Sequence, residues 1–245
     1  MSTQLIVAII SAVVALVAAA ITVWGQTRNA RLEHQLRRKE EAEKRKLDAE
    51  RIFSRYREPL VHAAYDLQSR IFNLLELQII SVHYDRGDQR ARDYVINNTA
   101  YLIAQYFGWT EVIRQEGLFL DLGEDEKTRK MNLLQDEITN AWLRDDLGKS
   151  LMIFRGNQRV IGEQMIKKSG EMLNCLTYGE FLQKLGDTEN DYLDHLTKDV
   201  RDAIVEIDNS RPRLVLLQQA LINLVDFLDP KYLRFPANRR TKLQR

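Results

Sequence analysis

The chain has 245 residues, and its 36 basic and 35 acidic side chains leave a formal net charge of +1. This length suits one domain with a single core, and a nearly neutral chain has no overall field that attracts nucleic acid, so nucleic acid is not an expected partner. Four prolines and eleven glycines are few, which excludes turn-rich all-β folds and long disordered linkers. We therefore predict an all-α fold.

The first 25 residues have the pattern of a transmembrane helix. Residues 5–24 contain no charged side chain, and about 20 helical residues span about 30 Å, the thickness of the bilayer's hydrocarbon core. A cleavable export signal begins with basic residues and ends at a small-residue cleavage site. MSTQ has no basic residue, and AAA lies inside the apolar segment. We therefore expect a retained anchor rather than a cleaved signal.

Basic residues after the anchor predict its orientation. Arg28 and Arg31 follow it closely, and Lys and Arg beside a span resist translocation. Trp24 suits the membrane interface, where aromatic rings with a polar edge are enriched. We expect a single-pass protein of the bacterial inner membrane, with a short N-terminus outside and the C-terminal domain in the cytoplasm.

Residues 26–58 predict a charged helical stalk. They are rich in strong helix formers and contain no Gly or Pro. The apolar positions do not hold a heptad, because Lys39, Glu43 and Lys46 would fall on the seam. We expect a solvated stalk, and the alternative is a stalk that forms a homo-oligomer.

Residues 59–233 predict the cytoplasmic all-α domain, and residues 234–245 a basic tail. Pro59 interrupts the helical pattern, so a hinge or kink is expected there. Amphipathic spacing predicts helices over 60–82 and 124–145, a helix capped by Asp88, and a last helix that ends near Asp229. Thr177 and Glu180 have the spacing of a capping box. Residues 150–165 fit a helix better than a hairpin.

Motifs that carry chemistry are missing from the sequence. Neither GxGxxG nor GxxxxGK[ST] occurs, and the histidines have no metal-binding spacing. No GxSxG marks a serine nucleophile, and the single cysteine, Cys175, is expected to be a small buried residue. We therefore expect no cofactor and no metal, and an enzyme is the less favoured class.

Two groups of polar residues share a helical face. His62, Asp66 and Arg70 lie at four-residue spacing, with Asn73 following, and could bind an anion or exchange protons. A solvated face or a packing network is the alternative. Arg155, Arg159 and Glu163 form a similar ladder if their segment is helical. An arginine fork grips carboxylate or phosphate, and an internal ion-pair network is the alternative.

The basic tail is a candidate for a second membrane contact. Each basic residue near an anionic leaflet contributes about 1 kcal/mol, and the tail contains Arg239, Arg240 and Lys242. A tail that remains in solution is the alternative.

Three segments of the sequence are RYREPLVHAAYDLQSRIFNLL, AQYFGWTEVIRQE and FRGNQRVIGEQM. Together they resemble a bacterial family of membrane-anchored helical proteins of unknown function. The resemblance covers roughly residues 55–178. It implies an inner-membrane setting and brings no activity or site with it.

Three functions fit these features. The first is a membrane-anchored scaffold that presents a helical surface to another protein. The second is a sensor or effector that binds a small anionic ligand through Arg155, Arg159 or Arg70. The third is a hydrolase acting on a phosphate or lipid substrate, which requires a polar pocket with two of these groups.

Overall fold

A computed structural model of the chain describes residues 3–116, 125–170, 172–187 and 191–244. Between residues 22 and 53 only some of the side chains are described. From residue 54 onward the side chains within these ranges are described, except at 125, 169 and 191. The chain divides into two units, residues 1–48 and 49–245. The predicted all-α class is confirmed, because helices dominate and one short hairpin interrupts them.

The described elements follow one another along the chain with short connections. Those of the first half are α1 (Thr3–Glu76), a π-helical turn (Ile80–Asp85), α2 (Gln89–Gln115) and α3 (Asp125–Leu143). Those of the second half are α4 (Arg155–Gln164), β1 (Ile166–Ser169), β2 (Met172–Cys175), α5 (Tyr178–Lys184), α6 (Asp191–Val205), α7 (Ile207–Leu228) and a 3₁₀ turn (Ala237–Arg239).

The first unit consists of the N-terminal part of α1. Its described side chains, including Trp24, Arg28 and Arg31, are exposed, and the Arg28 guanidinium lies 5.6 Å from the Trp24 ring centroid. Within the part of the chain that the structure describes, no helix is long and apolar enough to cross a membrane. The predicted anchor falls on residues 1–25, most of whose side chains lie outside the described set.

The core of the second unit is built from apolar faces at helical spacing. In α1 the buried positions include Leu60, Leu67 and Ile71, which recur every three or four residues and so lie on one face. Helix α2 packs against α4 and α6, and α7 packs against α3 and α6. Helix α7 is buried along most of its length, from Leu214 to Leu228, as its apolar sequence predicts.

Pro59 lies inside α1 rather than at a helix end. A proline removes one backbone hydrogen bond of a helix, and here packing on both sides offsets that loss. Tyr56 and Leu60, which flank it, are buried, and the guanidinium of Arg57 donates to the Leu228 carbonyl. The second unit therefore includes residues that the sequence assigned to the stalk.

Residues 150–165 contain the helix α4, as favoured, but an unpredicted hairpin follows it. Strands β1 and β2 are antiparallel, with Ile166 opposite Cys175. Gly170 lies in the turn with φ of +65°, a conformation that glycine adopts at little cost. The strands have four residues each, too few for a periodic pattern to distinguish them from helix or loop.

Two predicted caps are present. The Asp88 carboxylate accepts a hydrogen bond from the Ala91 amide at 2.8 Å and so begins α2. Thr177 and Glu180 form the predicted capping box, in which each side chain accepts from the other residue's backbone amide. These local signals place the start of α2 and α5 correctly because they need no distant residue.

The C-terminal segment is packed on the helices. Phe235, Arg240 and Leu243 are buried. The side chain of Gln218 donates to the Thr241 carbonyl at 2.9 Å and accepts from the Leu243 amide at 3.0 Å. The segment over 234–244 therefore packs on the second unit through these three side chains, while its other residues are exposed.

Candidate functional site

A cleft of about 380 Å³ lies between α2, α3 and α4. We call it the arginine cleft, because three arginines line it. Its lining residues are Phe107, Thr110, Glu111 and Arg114 from α2, Asn132, Gln135, Asp136 and Thr139 from α3, and Arg155, Gln158 and Arg159 from α4.

Gly162 fixes the close approach of α4 to α2 beneath the cleft. A Cβ at this position would lie 2.7 Å from the Phe107 carbonyl oxygen and 2.9 Å from the Glu111 Cβ. Only glycine therefore allows the two helices to meet so closely. Because residues three and four apart share a helical face, this contact also places Arg155 and Arg159 along the cleft.

An ion pair between buried Glu111 and exposed Arg114 forms one wall of the cleft. Glu111 is 3% exposed, and its carboxylate accepts hydrogen bonds from Arg114 at 2.7 and 2.5 Å and from Gln115 at 3.0 Å. Burial alone raises the pKa of Glu111, but these hydrogen bonds and the nearby charges of Arg114 and Arg159 outweigh it and lower that pKa. Glu111 is therefore ionised and already engaged.

Arg155 and Arg159 form the opposite wall with less restraint. Arg155 lies 3.6 Å from the Asp136 carboxylate, and both side chains are more than half exposed, so their attraction is weak. Arg159 is exposed and, within the described part of the chain, makes no hydrogen bond or ion pair. Its guanidinium is therefore the least compensated charge of the lining.

Gln135 supplies a buried donor at the cleft wall. Its Oε1 accepts from the Tyr106 hydroxyl at 3.0 Å, and its Nε2 is buried without a partner. Burial raises the pKa of Tyr106, and hydrogen bonding only partly opposes this. The hydroxyl therefore stays protonated, holds the amide oxygen and leaves Nε2 as an unsatisfied donor.

The predicted ladder and the cleft overlap in part. Arg155 and Arg159 line the cleft as a pair, whereas Glu163 is outside the lining and acts on Arg114 through its charge. Sequence reasoning missed Glu111, Arg114 and Gln135. The spacing of Glu111 and Arg114 is a usable signal of an i, i+3 pair, but nothing in the sequence marks Gln135.

The predicted stripe on α1 does not form one site. His62 and Asp66 are exposed, and His62 packs edge-on against Phe235 with ring centroids 5.0 Å apart. Arg70 is buried and donates to the Asn98 side chain at 2.5 Å. Helical spacing places these residues on one side of α1. His62 and Asp66 are nevertheless exposed, whereas Arg70 is buried against α2.

Arg240 does not occupy the position that a membrane contact requires. Its guanidinium is buried, pairs with Asp226 at 2.9 Å and also contacts the Asp229 carboxylate. Arg239 is exposed, and Lys242 is exposed while donating to the Asn223 side chain at 2.6 Å. The segment that contains Arg240 packs on the core, and its basic pattern alone does not show this.

The side chains of the arginine cleft are suited to binding. Guanidinium and amide groups donate hydrogen bonds, and Asp136 and Glu111 accept them. Of the described residues that line it, none is His, Ser, Cys or Lys. Across the described residues, no group of three or more His, Cys, Asp or Glu side chains is arranged to hold a metal ion.

Known proteins supply no family for the chain. No family model matches it, and neither a curated protein nor a solved structure is similar to it. The function proposed next is therefore supported by the geometry of the arginine cleft.

Proposed function

We propose that the protein is a membrane-tethered helical sensor or effector domain that binds a small anionic ligand in the arginine cleft. The observation that carries this proposal is the pair Arg155 and Arg159 on one face of α4, of which Arg159 has no described hydrogen bond or ion pair. Guanidinium groups form strong, directional hydrogen bonds with carboxylates and phosphates. The cleft also has a volume of the size that small-molecule sites use, about 300–1,000 Å³.

The charges of the lining favour a ligand with one main anionic group. Glu111 and Arg114 neutralise each other in their ion pair. Arg155 has a weak partner in Asp136, and Arg159 remains. A carboxylate or phosphate between the two arginines would supply the missing charge, while the buried Nε2 of Gln135 would find an acceptor after a small local rearrangement.

The predicted anchor over residues 1–25 belongs to the same proposal. Tethering would hold the domain at the cytoplasmic face of the inner membrane, so that a ligand signal is received there. The continuous helix α1 includes both the anchor segment and Tyr56 to Leu60 of the domain.

A scaffold role is the second candidate. The stalk exposes large apolar side chains, with Leu32 at 49%, Leu36 at 58% and Leu47 at 64% exposure. Such side chains suit contact with another helical protein or with a second copy. Hydrolysis has less support, because hydrogen bonds from Arg114 and Gln115 lower the pKa of Glu111 and so make its carboxylate a weak general base.

The test is ligand binding by the full-length chain in detergent. Inorganic phosphate, sulfate, acetate and succinate would each be titrated while thermal unfolding is recorded, because a ligand that binds only the native state stabilises it. We expect at least one anion to raise the unfolding temperature and Arg159→Gln to weaken its binding about tenfold, or about 1.4 kcal/mol.

Arg201→Gln is the matched control, because Arg201 is an exposed arginine on α6 away from the cleft. It should leave the response unchanged. The proposal is wrong if none of the four anions stabilises the protein, or if Arg159→Gln binds as tightly as the control.

A further inference from the structure

Three arginines are buried in the described part of the chain, and they differ in how their charge is compensated. Arg213 is fully buried, and its guanidinium donates five hydrogen bonds to backbone carbonyls. Arg240 pairs with Asp226 and Asp229. Arg70 is 5% exposed and has neither arrangement.

The described contacts of the Arg70 guanidinium are with neutral side chains. It donates to Asn98 at 2.5 Å, and its central carbon lies 5.2 Å from the Tyr94 ring centroid. Its Nε is buried without a partner. Among the described residues no carboxylate forms an ion pair with it.

This environment is costly for a cation. Burial lowers the pKa of Arg70, and the nearby tyrosines only partly oppose it. Arginine nevertheless stays protonated in proteins, so the charge persists. A buried charge without a counter-charge is retained only where its surroundings or a ligand compensate it.

Hydrogen-bond donors from two helices, α2 and α5, lie near the same group. Asn98 uses its Oδ1 toward Arg70, which leaves its Nδ2 as a donor. Tyr94 and Tyr178 carry hydroxyls, and burial together with the nearby Tyr94 raises the pKa of Tyr178 although the Arg70 charge opposes it. The Tyr178 phenol therefore remains protonated at neutral pH. Asp93, the acidic neighbour, accepts from Gln89 at 2.8 Å and is not paired with Arg70.

We propose that Arg70, Tyr94, Asn98 and Tyr178 form a binding site for a phosphate group. Tyr94 is 51% exposed, so its ring can move outward and expose the guanidinium that it now covers. The phosphate oxygens then accept from the free edge of Arg70 and from the hydroxyls on α2 and α5.

Phosphate fits these donors better than a carboxylate. A carboxylate has two oxygens in one plane and suits a single arginine fork. The donors here come from α1, α2 and α5, and a tetrahedral group offers oxygens in several directions. None of these residues lines the arginine cleft, so this site goes beyond the function proposed above.

The test uses the full-length chain carrying Arg159→Gln, so that the cleft no longer dominates the response. Inorganic phosphate is added at constant ionic strength, with chloride and acetate as comparison anions, and the unfolding temperature is measured. We expect phosphate to stabilise this protein more than acetate does. Adding Arg70→Met should weaken the phosphate response at least tenfold in concentration.

Tyr178→Phe provides a second variant that keeps the ring and removes only the hydroxyl, in case Arg70→Met does not fold. We expect it to weaken phosphate binding several-fold while leaving the unfolding temperature in chloride nearly unchanged. The inference is overturned if the Arg159→Gln protein shows no phosphate response, if the folded Arg70→Met or Tyr178→Phe variants respond as their parent does, or if acetate stabilises as strongly as phosphate.

Discussion

Arg213 is the residue on which the loop after α3 depends. Its Nε donates to the Ser150 carbonyl, and its two terminal nitrogens donate to four further carbonyls between residues 141 and 148. Some of these carbonyls belong to the last turn of α3, where the helix dipole favours a positive charge. One guanidinium thus compensates its own burial and holds the loop against α7.

Replacing Arg213 should be severely destabilising. Arg213→Met keeps an apolar stem but removes five hydrogen bonds that are buried or partly buried, and we expect a loss of about 3–5 kcal/mol in the free energy of unfolding. Urea denaturation at neutral pH measures it. Arg211→Met is the control, because its exposed pair with Glu76 is expected to contribute less than about 1 kcal/mol. Equal effects of the two substitutions would contradict this account.

At the scale of elements, the crossing of α2 and α4 determines the shape of the arginine cleft. Gly162→Ala would bring a Cβ within 2.7 Å of the Phe107 carbonyl oxygen, and a backbone atom cannot move aside alone. We expect a loss of about 1–3 kcal/mol in urea denaturation, together with weaker anion binding. The second effect follows because α4 carries Arg155 and Arg159.

Gly156→Ala is the control on the same helix. A Cβ at Gly156 meets nothing within 4 Å, and alanine is the better helix former by up to about 1 kcal/mol. This substitution should leave stability unchanged or slightly increased. A similar loss at both glycines would mean that helix propensity, and not the crossing, explains the result.

The elements also show how far the sequence alone can predict this protein. The caps of α2 and α5 and the buried face of α1 depend on residues a few positions apart, so the pattern predicts them. The ladder of Arg155 and Arg159 is predictable for the same reason. The cleft is not, because Glu111 and Gln135 meet α4 only through the packing at Gly162.

At the scale of the whole molecule, acid should weaken the fold. Among described residues the pKa is lowered for Glu58, Glu111, Asp146, Glu180 and Asp229. Hydrogen bonds from Lys167 and Thr177 lower the pKa of Glu180 to about 2. A carboxyl group whose pKa is lower in the native state stabilises that state at pH values above its unfolded-state pKa. This contribution is lost as the pH falls through its native-state pKa. Desolvation raises the pKa of Asp66 and Asp199, which act in the opposite direction.

We therefore expect the free energy of unfolding to change little between about pH 7 and 5 and to fall between about pH 4 and 2. Urea denaturation across this range measures it. Glu180→Gln should give a shallower fall, because the variant has lost a group whose native pKa is about 2. A pH dependence parallel to that of the wild type would contradict this assignment.

The packing of the C-terminal segment also has a consequence for biosynthesis. Arg57 contacts the Leu228 carbonyl and Gln68 contacts the Arg239 carbonyl, each across 171 residues, and Glu58 pairs with Arg234 across 176. A ribosome adds about 5–20 residues per second. The C-terminal partners of these contacts are therefore synthesised about 9–35 s after the residues of α1 that they contact. Until then these long-range contacts cannot form, so α1 completes its packing only after the C-terminal segment has been synthesised.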